Sequence, residues 1–421
     1  MHLKSSIFTL TLFCLILPVQ ADWKESLNKA WDSTKEISDS TINKSRDIYE
    51  SLSGDVHLVD KSKRQVITPD VIINEKKEHL QKIWPEVLDK LDTALSLNTK
   101  IDTAPESAWF GDDKQSLSSD QIDVFSLLED LFENPAIAKN RKNIERLKQK
   151  ISEKRNKIAT LKEQRVIATG SDRRDLNKAI KDLEADITEL DANVSYQKRN
   201  LIARLQTMGL TMNQKQVDVL LSRVDSDDII NMSLVYDVLA DITRQLLELT
   251  QEFNEDINQA RKYYGMHVVL LKMVITMQHN YITRLEQVYL PKIQQIRRQT
   301  MQVNHETRAL LRNERNPGQR RVLQNNLKAQ QLTLNVAKLY AQQLGKQKQK
   351  VTNALLQAKK DYRVAKNTFD TVKLSADLIR LMKTNQASFN ALMRIQVPEI
   401  VPFKNLEMQK KFEELSALLK R

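Results

Sequence analysis

The sequence predicts an all-α protein of elongated antiparallel coiled-coil hairpins, one small and one long, with short accessory helices. The 421 residues include only 7 Gly and 9 Pro, with 5% aromatic and 29% charged residues. So few glycines leave little for the turns of a barrel or a doubly wound sheet, which favours helices. Apolar residues also recur every three or four positions over long stretches, which is typical of helices that bury one stripe.

The longest periodic stretch runs from Asp227 to Ile395 and predicts two long helices that fold back at Asn316-Pro317-Gly318. The apolar stripe includes Val238, Leu246, Leu271 and Leu285 on the first arm and Leu344, Leu355, Ala365 and Ile379 on the second. Folding at 317 pairs residue i with about 634 minus i. Pro291 would then bend the first arm opposite Gly345, as a hinge or as a static bend.

A smaller hairpin is predicted between Ala136 and Met208, with a turn at Thr169-Gly170-Ser171. Ile151 then faces Val194 and Ile158 faces Ile187, so both arms agree on one antiparallel register. Lys154 and Gln197 occupy positions in this interface and are candidates for fixing its register.

These patterns divide the chain into six segments. They are a signal peptide (1–21), an amphipathic N-terminal helix (22–54), a linker with short helices (55–134), the small hairpin (135–209), the long hairpin (210–395) and an extended strap with a C-terminal helix (396–421). In the linker we expect an extended stretch up to Asn74, which would cap a helix that Pro85 kinks. A second helix start is expected at Ser118, with Gln121 completing a capping box.

Two local features concern surfaces. Trp109-Phe110 lies in a polar loop, where it is either a contact for a partner or a plug over the local core, and we expect the plug. The amphipathic C-terminal helix, with Phe412 and Leu415, is expected to dock on the base of the long hairpin.

The segment 1–21 has the composition of a secretory signal. Lys4 precedes an apolar run from Ile7 to Leu17, and the small residues Val19 and Ala21 suit a cut after Ala21. The run is too short for a spanning helix. The single cysteine, Cys14, lies inside it, so the mature chain would lack disulfides. We therefore expect a periplasmic or secreted bacterial protein.

Residues 22–54 carry a thin apolar stripe with Trp23 and Trp31. These tryptophans would anchor an interfacial helix on a membrane. The alternative, which we favour, is a marginal helix that docks on the body of the protein.

The sequence offers no template for catalysis, and we expect no enzyme activity, cofactor or metal. No two glycines are closer along the chain than Gly318 and Gly345, so no glycine-rich phosphate loop is possible. No two of the histidines after the signal have the close spacing of a helical metal clamp, and His267 and His279 fall near an apolar stripe, which favours core positions. Asp225-Ser226-Asp227-Asp228 reads as a helix start rather than a calcium loop, since the alternating carboxylates of such a loop are missing.

Charge is distributed unevenly along the chain, whose formal net charge is +12. Residues 280–366 hold 18 basic and 4 acidic side chains, a net of +14, whereas residues 218–258 hold 2 basic and 10 acidic side chains, a net of −8. Guanidinium groups grip phosphates and carboxylates with paired hydrogen bonds. The predicted anion-binding residues are Arg297, Arg298, Arg308, Arg312, Arg315, Arg320 and Arg321.

These observations together favour an exported, non-enzymatic scaffold or adaptor of the bacterial envelope that binds an anionic surface or an acidic partner through a basic hairpin tip. Export argues against nucleic acid, and both peripheral membrane contact and self-association are compatible with the pattern. Two alternatives stay open. A periplasmic secretion or efflux adaptor would normally carry glycine-rich β-domains, and a helical pore-forming toxin would need a more apolar segment than Met266–Met277, which Lys272 interrupts.

Overall fold

The computed structural model describes residues 67–109, 111–208, 210–253, 255–371, 377–384, 403 and 405–420. The predicted signal peptide, the N-terminal segment with Trp23 and Trp31, and the strap at 396–402 lie outside these residues. Every regular element described is a helix, which confirms the all-α class. The helices are α1 (Pro69–Thr103), α2 (Lys114–Phe132), α3 (Pro135–Ile167), α4 (Gly170–Thr207), α5 (Gln214–Ser222), α6 (Ser226–Glu252), α7 (Ile257–Arg284), α8 (Leu290–Asn313), α9 (Pro317–Thr371), α10 (377–384) and α11 (Leu406–Lys420), with a π-helical segment at Leu285–Tyr289.

Helix α9 forms the long axis of the molecule, because its 55 residues extend for about 80 Å. Its first part packs on α8 and its later part on α7. Glu286 pairs with Lys348 (2.9 Å), and Asn304 hydrogen-bonds Gln330 (3.1 Å). Both pairs follow the antiparallel register of i with 634 minus i.

The predicted continuous first arm from Asp227 is wrong, because α6 and α7 are separate helices. Helix α6 ends at Glu252, and the Asp256 side chain caps α7 by accepting hydrogen bonds from the backbone N–H groups of Asn258 (2.9 Å) and Gln259 (3.3 Å). The hydroxyl of Tyr281, late in α7, reaches Asp225 just before α6 (2.8 Å). Helix α6 therefore runs back along α7 and is buried on most of its circumference as a central helix of the body.

Helices α3 and α4 pack along each other beyond the turn at Thr169-Gly170, where Gly170 has a φ of +57°. Ile144, Ile151 and Ile158 are buried at intervals of seven residues, and Lys154 bridges to Asp186 on the facing helix (2.6 Å). The open ends of this pair join a second core with α5 and the start of α6.

Helix α1 begins at Pro69, earlier than predicted. Proline suits the first turn of a helix because its missing N–H group would have no partner there. Val71 to Ile73 are consequently helical and not extended, and Asn74 does not act as a cap. The helix also continues through Pro85.

Helix α2 begins at Lys114, before the predicted Ser118. Asp113 and Ser116 form a reciprocal capping box, and Gln121 is instead buried, donating to the carbonyl of Ala94 (2.9 Å). The loop before α2 leaves Trp109 98% exposed, so the predicted plug over the core is wrong for this residue, and Phe110 lies outside the described residues.

The C-terminal helix α11 docks midway along the long hairpin and not at its base. Phe412 stacks on Tyr340 with ring centroids 4.1 Å apart, and the carbonyl of Leu419 accepts a hydrogen bond from Lys292 (3.1 Å). Tyr340 lies about 35 Å beyond Pro317 along α9. From this point to the turn, α8 and α9 form a two-helix extension that we call the distal hairpin (residues 293–336).

Candidate basic tip

The turn between α8 and α9 is held by one asparagine. The Asn316 side-chain oxygen accepts hydrogen bonds from the backbone N–H groups of Gly318 (2.8 Å) and Gln319 (3.2 Å), and the Asn316 N–H donates to the Glu314 carboxylate (2.7 Å). Asparagine is a preferred N-cap, and Pro317 suits the first helical position. The local sequence therefore starts α9 at one defined residue.

Arg320 has a structural role in this turn. Its guanidinium donates from one nitrogen to the carbonyls of Leu311 (3.2 Å) and Glu314 (2.8 Å), which are left without partners where α8 ends. Arg320 therefore ties the two helices together, and less of its side chain is available to a ligand than the sequence suggested.

The other four arginines near the turn are exposed: Arg308, Arg312, Arg315 and Arg321. Arg308 donates to the side chain of Asn304 (2.9 Å). Among the residues that the structure describes, no ion pair joins any of these arginines to a carboxylate. The two nearby glutamates bond elsewhere, since Glu306 accepts from Gln302 (3.1 Å). We call the five arginines near the turn the arginine cluster: Arg308, Arg312, Arg315, Arg320 and Arg321.

Arg297 and Arg298 lie apart from this cluster. Arg297 precedes Arg315 by about 27 Å along α8. It is half-buried at the edge of the helix interface, and it donates to Gln294 (3.1 Å). The structure thus brings five of the seven predicted anion-binding residues together and leaves two further down the helix.

The interface beneath the arginine cluster is partly polar. Asn304 donates to Gln330 (3.1 Å), and Gln330 donates to the hydroxyl of Thr307 (2.9 Å), which is buried. Hydrogen bonds between facing side chains fix the register of a helix pair at some cost in stability. The distal hairpin therefore holds its arginines in a defined alignment without a large apolar core.

Half of the ten carboxylates in the acidic stretch at 218–258 pair with cations from other parts of the chain. Asp218 pairs with Lys198 (2.5 Å), Asp228 with Arg284 (2.9 Å), and Asp227 with Arg141. Asp237 and Asp241 both contact Lys76 (2.8 and 2.6 Å). These four cations lie far away in the sequence, and they reduce the net charge of the stretch from −8 to about −4 in the folded protein.

Arg223 and Asp225 form a fully buried ion pair that sequence reasoning missed. Two parallel hydrogen bonds of 2.8 Å join them, and the hydroxyl of Tyr281 donates to the same carboxylate (2.8 Å). Tyr340 lies beside the pair and accepts a hydrogen bond from the N–H of Val224. Burial, reinforced by the Asp225 charge, raises the pKa of Tyr281. The cluster joins α7, α9 and the start of α6, and we assign it a structural role.

A small cavity of about 30 Å³ lies beside Lys76, with His79, Arg204 and Asp241 among its lining residues. Burial acts to lower the pKa of Lys76, but the carboxylates of Asp237 and Asp241 outweigh burial and the pKa is raised. This volume suits about one water molecule. The arrangement is typical of a solvated ion pair within the core.

The histidines and carboxylates of the described residues do not assemble a metal site. No group of three side chains there has the positions to hold an ion. His267 is fully buried, and burial lowers its pKa to about 4. Within 225–228, the carboxylates are bound to Arg223, Arg141 and Arg284 instead of converging on a cation.

Exposed apolar side chains occur at several places on the described surface. They include Trp109, Val166 and Ile167 at the α3–α4 turn (82% and 86% exposed), Leu356 on α9, and residues of the distal hairpin. Only the tryptophan carried a signal in the sequence, as an aromatic residue in a polar loop. The apolar residues of the hairpins looked like interface positions, because periodicity alone cannot tell a covered face from a bare one.

No helix in the described part of the chain is both long enough and apolar enough to cross a membrane. The chain matches no protein-family model, no curated protein and no solved structure.

Proposed function

We propose that this protein is a non-enzymatic helical scaffold or adaptor of the bacterial envelope, and that the arginine cluster binds an anionic, phosphate-rich surface. The observation that carries the proposal is the difference in pairing. Half of the carboxylates of the acidic stretch at 218–258 pair with cations from elsewhere in the fold, whereas the arginines at the tip have no carboxylate partners among the described residues. Exposed guanidinium groups on a projecting turn suit phosphates on a broad surface.

The geometry of the tip supports a surface rather than a small ligand. Arg308, Arg312 and Arg315 follow one another at intervals of four and three along the helix, so they share one side of α8. These residues are exposed on the helix surface, and they do not line the small cavity beside Lys76. Each cation near an anionic membrane contributes about 1 kcal/mol. Together with Arg321 they are four exposed cations, which can bind an anionic membrane without a cavity.

The proposal includes two further points: the two hairpins are antiparallel coiled coils, and the protein is exported from the cytoplasm. Buried isoleucines at intervals of seven in α3 support an antiparallel coiled coil in the small hairpin, and the polar register contacts of α8 and α9 support one in the long hairpin. Export rests on residues 1–21. Deleting them should leave the protein in the cytoplasm in a cell-fractionation experiment.

Vesicle co-sedimentation tests the proposed binding. The test variant is R308E/R312E/R315E/R321E, assayed with phosphatidylcholine vesicles that contain about one-third phosphatidylglycerol and with phosphatidylcholine alone. We expect the unaltered protein to bind the anionic vesicles with an affinity that falls as salt rises. The test variant should lose at least tenfold in affinity, because four attractive charges become repulsive.

The matched control is K157E/R173E/R174E/K178E on the small hairpin. It changes net charge by the same amount at four exposed residues that make no ion pair within the described part of the chain. If both variants lose affinity equally, binding reflects net charge and the tip is not the site. Binding that does not respond to salt would also contradict the proposal.

A further inference from the structure

The distal hairpin has an apolar strip on the side away from its arginines. The strip consists of Val303, Leu310 and Val322, which are 48%, 61% and 58% exposed. Successive residues of an α-helix are rotated by about 100°. Leu310 is two positions from both Arg308 and Arg312, so it lies about 160° around α8 from each of them. A flat anionic surface that contacts these arginines cannot also contact the strip.

The strip continues a face that this protein already covers. Lys292 and Tyr340 hold helix α11 against α8 and α9 through the Leu419 carbonyl (3.1 Å) and the Phe412 ring (4.1 Å). The steps from Lys292 to Leu310 and from Tyr340 back to Val322 each equal about five full helical turns. Leu310 and Val322 therefore each lie on the same side of their helix as the contact with α11, about 27 Å nearer the turn. Helix α11 covers one half of this face and leaves the other half bare.

We propose that the apolar strip is a homodimer interface, where the distal hairpin of a second copy packs strip to strip. The covered half of the face shows that it accepts helical packing, and an identical strip is self-complementary about a two-fold axis. The positions of the arginines are also compatible with a second copy as the partner. Pairing through the strips places the two sets of arginines on opposite outer sides, where the distance between them exceeds the screening length of about 8 Å.

The size of the face predicts a weak dimer. From Val336 to the turn it is about 30 Å long, and two helices make it about 20 Å wide. Pairing would bury about 600 Å² per copy, or about 1,200 Å² in total, which is the lower end of specific interfaces. We therefore expect a dissociation constant in the micromolar range, so that dimers form when copies are concentrated together.

Sedimentation velocity over a range of concentrations tests this inference with two variants of the purified chain. L310E/V322E places two carboxylates on the strip, and we expect dimerisation at least 30-fold weaker than in the unaltered protein. M301E is the matched control, because Met301 is similarly exposed (57%) but precedes Arg308 by two helical turns and so lies on the arginine side. It should dimerise normally. All variants should retain the helical circular dichroism of the unaltered protein.

A protein that stays monomeric up to about 100 μM, or an L310E/V322E variant that still dimerises, overturns the inference. Vesicle binding separates this outcome from failure of the proposed function. Monomeric L310E/V322E should still bind anionic vesicles through its arginines with an affinity close to that of the unaltered protein, because the two sets of arginines in the dimer face opposite sides and cannot contact one flat surface together. If the unaltered protein is monomeric and L310E/V322E no longer binds vesicles, the strip contacts lipid and the dimer proposal is wrong.

Discussion

Residues 218–258 hold ten carboxylates and two cations, and residues 297–328 hold eight cations and two carboxylates. In the folded protein, the first stretch contacts cations from α1, α3, α4 and α7. The second stretch extends beyond the body of the protein, and its cations are exposed except for the half-buried Arg297. Similar densities of like charge thus serve different purposes. Charges in the body hold helices together, and charges at the tip are available to another molecule.

The largest difference in unfolding free energy is expected when one cation is removed from the body and one from the tip. Arg223→Leu leaves the Asp225 carboxylate buried without its partner, and breaking a buried ion pair typically costs about 3–5 kcal/mol. Arg312→Leu removes an exposed cation and should change stability by less than about 0.5 kcal/mol. Urea unfolding followed by circular dichroism measures both. A loss below about 1 kcal/mol for Arg223→Leu would show that the buried pair is not needed for stability.

Glu248 sharpens the comparison, because it is a carboxylate of the acidic stretch that is poorly matched. Burial raises its pKa to about 7, and the positive charge of Arg244 only partly opposes this. The folded protein therefore holds a proton that the unfolded chain releases near pH 4.5, so stability should fall as pH rises from about 4.5 to 7. Glu248→Gln should stabilise the protein at pH 8 by about 1.5 kcal/mol after allowance for solvent screening, and have little effect at pH 4.

Thermal unfolding at several pH values measures this effect. Glu255→Gln is the control, because Glu255 is exposed and belongs to the same stretch. If Glu248→Gln shifts the melting temperature equally at pH 4 and pH 8, the carboxylate is not protonated in the folded protein and the prediction fails.

The smallest effect is expected within the arginine cluster itself. Arg320→Gln removes hydrogen bonds to two carbonyls at the end of α8 and should cost about 1 kcal/mol. Arg321→Gln, its neighbour, should leave stability unchanged but weaken binding to anionic vesicles. Denaturant unfolding and vesicle binding of the two variants should give opposite rankings. Equal stabilities would mean that Arg320 does not hold the turn.

The all-α class could be predicted because apolar periodicity is a local property of the sequence. Apolar periodicity set the helices, and the asparagine and proline at 316–317 marked the turn from which the register follows. The helix boundaries that were predicted wrongly lie where two possible capping residues or an apolar stripe and a cap occur close together in the sequence. Asp256 interrupts an apolar stripe that otherwise continues, and Asp113 caps a helix ahead of the equally plausible Ser118.

The charge pairing could not be predicted, because it depends on contacts between distant segments. Lys76 meets Asp237 and Asp241 only when α1 packs beside α6. Periodicity predicted that α11 docks on the long hairpin, but it did not show that this helix lies midway along the hairpin and leaves Leu310 and Val322 bare. The arginine cluster itself was visible, since its five members all lie between 308 and 321.

The π-helical segment at Leu285–Tyr289 sets the rotation of α8, and with it the direction in which the arginines and Leu310 of that helix face. The N–H of Leu290 bonds to the carbonyl of Leu285, five positions back, so this turn contains one residue more than an α-helical turn. That residue rotates everything after it by about 100° relative to an uninterrupted helix. Deleting Val288 should therefore rotate the arginines and Leu310 of α8 by about 100° relative to α9, which runs unbroken from the turn to its contact with α7 and keeps Arg321 and Val322 in place.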